Sequence, residues 1–408
     1  MSCASAARSS CPAAIGAGRI SPAAAFYLLA SITITFLAGS SAPTPLYPLY
    51  QAKWGFSPIT ITVVFAVYAL GLLGALLIAG RLSDHIGRRP VLIVATVAHA
   101  VTMLIFSTAN GVADLLMARV IQGLAAGAAI AAVGAGMIDL DKARGTTANA
   151  ITPALGTATG GIVSGLMVHF LPAPTHLVYW VLGMAFLAQA VGVAFMTETT
   201  TPRPGALGSL KPRFCVPSAT RKPLLIAVPA LVAPWALAGF YGSLGPVLMR
   251  STFGLDSSLF GGLALFILAG SAAVSIFLLQ RYDAAIMTSV GASSLLAGVT
   301  IVMLALSYQS PAGFFVGTVV AGAGFGTSVQ GAIGIVVPFA PPSQRAGVLS
   351  VIFVVSYVAM GAPAVVAGYL VAHGGNINTT ARELGATVMV LAALALLGSV
   401  AKRGVPNR

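Results

Sequence analysis

The feature that most limits what this chain can become is the recurrence of uninterrupted apolar runs. A helix of about 20 residues, rising 1.5 Å per residue, crosses a hydrocarbon core of roughly 30 Å. Twelve runs of that kind can be placed, at 22–42, 58–80, 90–108, 112–136, 147–169, 176–196, 223–248, 257–279, 285–306, 312–335, 346–371 and 382–401. They are continuous rather than alternating, which points to helices and away from the strands of a porin-like barrel. The 46 glycines and 24 prolines do not argue against helices. Small residues let membrane helices approach closely, and packed neighbours re-satisfy the backbone groups that proline frees. Charged residues make up only 7% of the chain, against about a quarter in soluble domains. An all-α integral membrane protein is expected. The first run is too long for the h-region of a signal peptide and no compact A-x-A site follows it, so it is read as a span.

Lys and Arg set the orientation. With both termini in the cytoplasm, 17 of the 21 basic residues fall inside, Lys53, Arg250 and Arg382 fall outside, and Arg119 lies within a span. This asymmetry is the positive-inside pattern. It also accounts for the formal charge of +13 without a nucleic-acid partner. Cys3, Cys11 and Cys215 all fall in segments expected to be cytoplasmic and reduced, and none belongs to a C-x-x-C pair. No metal site and no cofactor are expected. A P-loop, G-x-x-x-x-G-K-[ST], does not occur, which speaks against ATP drive within the chain.

The sequence also repeats. A shift of 199 residues pairs Gly55 with Gly254, Gly71 with Gly270, Asp84 with Asp283, Gly123 with Gly322 and Gly127 with Gly326. One register held over some seventy residues indicates duplication of a six-span unit. Six is even, so both copies cross the membrane in the same sense, as in transporters whose parallel halves enclose a site near mid-membrane. The expected organisation is a cytoplasmic tail (1–21), a six-helix bundle (22–196), a basic, Pro-rich cytoplasmic linker (197–222), a second six-helix bundle (223–401) and a short cytoplasmic tail (402–408).

Between the second and third runs stands GRLSDHIGRRPVLI, a burst of charge in an apolar chain. Gly80, Leu82, Asp84, Gly87, Arg88, Arg89 and Leu92 occur at the spacing G-x-L-x-D-x-x-G-R-R-x-x-L, which resembles the loop signature of the major facilitator superfamily. RVIQGLAAG (119–127) is similar to that family's fourth-helix motif through Arg119, Gln122, Gly123 and Gly127. GTATGG (156–161) fits its fifth-helix antiporter motif at Gly156, Gly160 and Gly161, with Thr157 in place of the motif's proline and Pro153 standing earlier. The second copy of the charged loop, LQRYDAAIMT, keeps Asp283 and has lost the paired arginines. The resemblance implies two six-helix bundles related by a pseudo-twofold axis along the membrane normal.

The loop can be given physical roles. Gly80 would remove a side chain where the second helix approaches the other half, and Gly87 would allow a sharp turn. Asp84 would be attracted to the positive N-terminal end of another helix, and the resemblance implies that it latches onto the start of the eleventh, near Arg345 to Val348, when the transporter faces outward. The plainer reading is a topology signal, with arginines holding the loop inside.

An ionised Arg119 inside a span is costly enough to suggest function. It can act as a counter-charge or proton-site neighbour, or it can bridge to Thr33, Thr35 or Ser40 of the first span. No carboxylate shares its depth. His99, the other ionisable residue at depth, is expected to pack or hydrogen-bond rather than relay protons. The lack of a buried acid argues against a carrier of organic cations. The small-residue spacings at Gly123, Gly127, Gly156, Gly160 and Gly161 suit close helix packing. Tyr68, Trp235, Phe240, Tyr241, Phe266 and Tyr357, with Thr318 and Ser328, stand on spans that the resemblance implies line the cavity, and are the candidate lining of a substrate site.

The expected function is secondary active transport of small organic molecules across the inner membrane. Proton-coupled efflux by alternating access from a monomer is favoured, with protons, a small-molecule substrate and the lipid bilayer as partners. Uptake of an anionic metabolite is the alternative within transport. A non-transporting membrane sensor or scaffold is disfavoured because no soluble output domain accompanies the spans.

Overall fold

The computed structural model describes residues 20–403 other than 213 and 215, with side chains to residue 399. Cys3, Cys11 and Cys215, the tail up to residue 19 and residues 404–408 lie outside the described residues. Twelve helices are long and apolar enough to span a membrane, one for each run read from the sequence. They are α1 (Pro22–Ser41), α2 (Pro58–Ala79), α3 (Arg88–Ser107), α4 (Val112–Leu140), α5 (Lys142–Phe170) and α6 (Leu177–Ala194), then α7 (Ser218–Ser243), α8 (Ser258–Leu279), α9 (Ala284–Ser307), α10 (Pro311–Val336), α11 (Arg345–Ala372) and α12 (Ile377–Arg403).

Their ends follow local chemistry. Pro22, Pro58 and Pro311 open helices at the first position, where the missing N–H has no helical partner to lose. Ser21 Oγ accepts from Ala24 N at 3.2 Å, and an Asp141 carboxylate oxygen accepts from Arg144 N at 2.9 Å, capping α1 and α5. The seventh run differs from expectation. The sequence places it at 223–248, yet α7 ends at Ser243 and a separate short helix, Gly245–Phe253, continues the chain. Its counterpart after α1 is Tyr47–Trp54. Both short helices stop at a glycine in the left-handed region, Gly55 at φ 67° and Gly254 at φ 66°, which are one of the pairs that the repeat predicts. Hydropathy has no view of the break after α7, because Leu244, Val247 and Leu248 beside it are apolar.

The packing reproduces the duplication. Within the halves, α2 packs on α4 as α8 packs on α10, and α3 on α6 as α9 on α12. Between the halves, α5 packs on α8 and α2 on α11. Exchanging each helix for its repeat partner turns one of these two contacts into the other, as a twofold relation requires. The outer surface of the helices is apolar, with Val94, Met184, Phe277, Leu278 and Leu397 among the exposed side chains, as a lipid-facing surface must be.

An even number of spans brings both chain ends and the linker to one face, called here the terminal face. At the opposite face the halves are closed. Thr44 Oγ1 donates to Gly242 O at 2.9 Å, and His169 Nδ1 lies 3.0 Å from Ser257 Oγ. Just inside, Gly161 and Gly165 of α5 meet Gly262 and Leu259 of α8. At the terminal face a cavity of about 700 Å³ opens between the start of α5 and α8, α9 and α10, lined by residues that include Thr146, Thr147, Gln280, Met287 and Gln330. A tie between Thr147 Oγ1 and Gln280 Oε1 (2.9 Å) crosses the halves there.

Candidate functional site

The charged loop folds as a short helix, Ser83–Ile86, followed by Gly87 at φ 102°. That angle strains any residue with a Cβ, and a Cβ here would also fall 2.6 Å from a Glu198 carboxylate oxygen. The expected turn at Gly87 is therefore present, with a second reason for glycine. Arg88 is buried, and its Nη1 donates to Ser83 Oγ at 2.7 Å and to Asp84 Oδ1 at 2.5 Å. Its Nε reaches Asp139 Oδ2 of α4 at 3.4 Å. Arg89 donates through Nη2 to the Ala194 carbonyl. Leu82 is half-buried, and its carbonyl accepts from His85 N at 2.9 Å and Ile86 N at 3.1 Å, closing the short helix.

One feature of this loop differs from expectation. Gly80 does not face the other half. A Cβ on it would collide with the Leu76 carbonyl and lie 3.8 Å from Ala131 of α4, so glycine serves the tight exit from α2 within its own bundle. Asp84 is not at the start of α11. Its short helix packs on α3 and α4 and its carboxylate is held by Arg88.

Sequence reasoning missed Glu198 and Asp139 as partners. Glu198 Oε1 accepts from Arg88 N at 2.9 Å and Oε2 from Arg89 N at 3.0 Å. One carboxylate thus satisfies two orphan donors at the N-terminal end of α3, where a negative charge also meets the helix dipole. The linker is fastened beside it, with Arg203 N donating to His85 O at 3.0 Å and Thr199 Oγ1 lying 3.3 Å from Asp139 Oδ2. The available signal was the position of two acids at the ends of spans on the same side as the arginines.

Arg119 is fully buried. Nη1 donates to the Ser40 carbonyl and to Gln122 Oε1, both at 2.8 Å, and Nη2 donates to Tyr47 Oη at 2.6 Å. Gln122 Nε2 donates in turn to the Gly39 carbonyl at 3.0 Å. The guanidinium lies 5.9, 5.4 and 5.6 Å from the ring centres of Tyr47, Tyr68 and Phe106, close enough for cation–π attraction. Of the expected partners, Ser40 is used through its backbone, whereas Thr35 donates to Gln189 Oε1 at 2.8 Å. Arg119 therefore ties α4 to the end of α1. His99 sits between Phe36 (centroids 3.8 Å apart) and Phe186 (5.0 Å), inside the first bundle.

The glycines pack helices in a definite order. A Cβ on Gly123 or Gly127 would strike the backbone of α2 at Tyr68 or Leu72. Gly156 and Gly160 admit α1 at Ile34 and Ala38, while Gly161, one residue on, admits α8. The fifth-helix motif thus serves two interfaces at once.

The candidate lining separates into three groups. Trp235 lies 5.4 Å from Tyr357 and 5.5 Å from Phe325, centre to centre. Gly368 opposes Thr62 and Gly361 opposes Ala66 along α11 and α2, a register that brings Tyr357, one turn before Gly361, level with Tyr68. These residues meet where the halves face each other. Tyr241, Thr318, Ser328 and Phe240 are instead buried in the second bundle. Tyr241 Oη is 2.8 Å from Thr318 Oγ1 and stacks on Phe314, and Ser328 Oγ donates to the Ala230 carbonyl at 3.0 Å. Their polar groups bridge α7 and α10 and have none to spare. Phe266 is 40% exposed, on the face of α8 it shares with Phe277, three helical turns on, so it belongs to the outer surface. The eight residues contribute nothing to the terminal-face cavity, which lies beyond them.

A membrane-spanning pair of six-helix bundles, joined in pseudo-twofold symmetry and open at one face, defines a polytopic transporter rather than an enzyme. Residues 29–364 match the Major Facilitator Superfamily, and the chain belongs to it. It is 29% identical over 349 residues to a multidrug resistance protein MdtL of Klebsiella pneumoniae, covering 79% of this chain and 83% of that one. The MdtL of another strain of that species is matched over 60% of its length. The cephamycin export protein CmcT of Amycolatopsis lactamdurans is 33% identical over 152 residues, 35% of this chain and 31% of the relative. Among solved structures, a bacterial homologue of the human lysosomal transporter Spinster, in an inward-facing and unoccupied conformation, superposes with a TM-score of 0.72 at 14% identity, covering 95% of this chain and 99% of that one.

Proposed function

We propose that the protein exports small organic molecules across the inner membrane by alternating access, driven by inward proton movement and working as a monomer. The terminal face is cytoplasmic on the positive-inside argument, so the closed opposite face makes this the inward-facing form. The bundles 22–196 and 223–401 rock about the linker 197–222, and Asp84 engages the start of α11 when the terminal face closes. The observation that carries the reading is the asymmetry of closure. Hydrogen bonds at Thr44 and His169 and the close approach of Gly161 and Gly165 to α8 seal one end of the interface, while at the other a cavity of about 700 Å³ opens beside the Thr147–Gln280 tie. The relatives named for multidrug resistance and for cephamycin export support outward transport. Anion uptake with Arg119 as counter-charge draws less support, because Ser40, Gln122 and Tyr47 already engage that guanidinium.

The test is purified protein in liposomes with an imposed pH gradient, following candidate solutes and internal pH together. Solute movement opposite to the proton flux is expected. Movement in the same direction would make the protein a symporter, and no gradient-driven flux of any solute would remove the transport reading.

A further inference from the structure

We infer that the mid-membrane site between the halves recognises hydrogen-bond acceptors, so that the solute is a ring-bearing apolar molecule with an anionic acceptor such as a carboxylate, not an organic cation. This rests on the transport reading and narrows it. Trp235 Nε1 is buried and has no hydrogen-bond partner; Tyr68 is 5% exposed, and its hydroxyl stands beside that of Ser40 without a well-aligned hydrogen bond. Indole N–H can only donate, and a buried donor left unmade is costly, so a ligand that supplies an acceptor relieves it. Around these atoms the rings of Trp235, Phe325 and Tyr357 form an apolar wall contributed by α7, α10 and α11, with Tyr68 of α2 at the same level.

The charges agree with the donors. The Arg119 guanidinium stands 5.4 Å behind the Tyr68 ring. The eight acidic residues, Asp84, Asp114, Asp139, Asp141, Glu198, Asp256, Asp283 and Glu383, lie in loops or near helix ends. A cation brought to mid-membrane would lose its hydration and find no carboxylate in exchange, whereas an anion would meet donors and a positive field. At the terminal face, Lys142 is the one charged residue among the described residues lining the cavity, beside Thr146, Thr147, Gln280 and Gln330.

The test compares two probes on one skeleton, biphenyl-4-carboxylate and 4-phenylbenzylamine, by calorimetric binding to the full-length protein in detergent without any gradient. The carboxylate should bind at least about tenfold more tightly, the size expected when one hydrogen bond to a charged group is kept or lost. Tyr68→Phe, which keeps the ring, and Trp235→Phe, which removes the indole N–H together with part of the ring, should each weaken carboxylate binding by about tenfold; the melting temperature should hold in Tyr68→Phe and fall modestly in Trp235→Phe, which gives up packing on Phe325 and Tyr357. Equal affinities for the two probes, including no binding of either, or full carboxylate affinity in both variants, would overturn the inference. Carboxylate binding without proton-driven flux would sink the transport reading and leave this one standing. Proton-driven flux of the amine would do the reverse.

Discussion

Residues 119 and 318 stand 199 positions apart, the same distance as the glycine pairs of the repeat, and both are fully buried. One is an arginine and the other a threonine. Arg119 ties α4 to the end of α1 through the Ser40 carbonyl and Tyr47 Oη. Thr318 ties α10 to the end of α7 through Tyr241 Oη at 2.8 Å. The second half shows that a hydroxyl is enough to hold this joint. The first half therefore carries a charge that packing alone does not require, at the added cost of burying it. The loops differ in the same way. Asp84 belongs to a cluster with Arg88, Asp139 and Glu198. Its counterpart Asp283 is exposed and makes no side-chain bond to the helix it precedes. Charge is concentrated in the first half, and the shared scaffold is held by small residues in both.

The shared part gives the largest expected effect. A Cβ on Gly127 would lie 2.8 Å from Ala75 Cβ, and one on Gly326 would lie 2.5 Å from the Ala272 carbonyl oxygen. Both clashes are against the neighbouring helix, so neither can be relieved by a side-chain rotation. Gly127→Leu and Gly326→Leu should each cost about 3 kcal/mol or more through overpacking and leave little protein that elutes as a single species from size exclusion in detergent. A folded Gly326→Leu beside a lost Gly127→Leu would break the claim that the halves pack alike.

A smaller, unequal effect is expected at the joint itself. Arg119→Gln can keep at most one of the three partners, Ser40 O, Gln122 Oε1 and Tyr47 Oη, and should destabilise by about 2–4 kcal/mol, counting two buried groups left unpaired. Thr318→Val strands only Tyr241 Oη and should cost about 1–2 kcal/mol on the same reckoning. Arg119→Lys keeps the charge but cannot reach all three partners with one ammonium, so its melting temperature should fall below that of Arg119→Gln. Should lysine instead be the milder change, with binding of anions retained, the charge would outweigh the bridge.

These contrasts also mark what was legible in the sequence. Span number, span position and the duplication could be read because bilayer thickness fixes run length and because a register of glycines needs no partner to be visible. The packing roles of Gly123, Gly127, Gly156 and Gly160 follow from spacing alone. What could not be read depends on which helix faces which. Thr318 and Ser328 look like polar fixtures of a cavity until α7 is seen to take up their bonds, and Gly80 looks like an interface glycine until Ala131 of its own half is found opposite. Glu198 was hidden for the same reason, since 110 residues separate it from the Arg88 amide it holds.

The finest point of the comparison lies at the loops, where the expected effects are smallest. Glu198 satisfies the Arg88 and Arg89 amides at the start of α3, and Asp283 precedes α9 with no cap bond of its own. Glu198→Gln keeps one acceptor oxygen, loses the other and loses the charge opposite the helix dipole, which amounts to about 1 kcal/mol on the scale of N-terminal caps. Asp283→Asn alters an exposed side chain without partners and should stay within about 0.5 kcal/mol of the parent. Melting temperatures in detergent would rank the two. A second reading separates capping from gating. If Glu198 only caps α3, cysteine labelling at residue 82 from the terminal face should rise in Glu198→Gln because the loop frays, with transport intact. If the clamp on Arg88 and Arg89 also sets how far Asp84 can reach toward α11, transport should fall in Glu198→Gln while Asp283→Asn remains fully active. Equal loss in both variants would show that the two loops are equivalent after all, and that the clustering of charge in the first has no mechanical consequence.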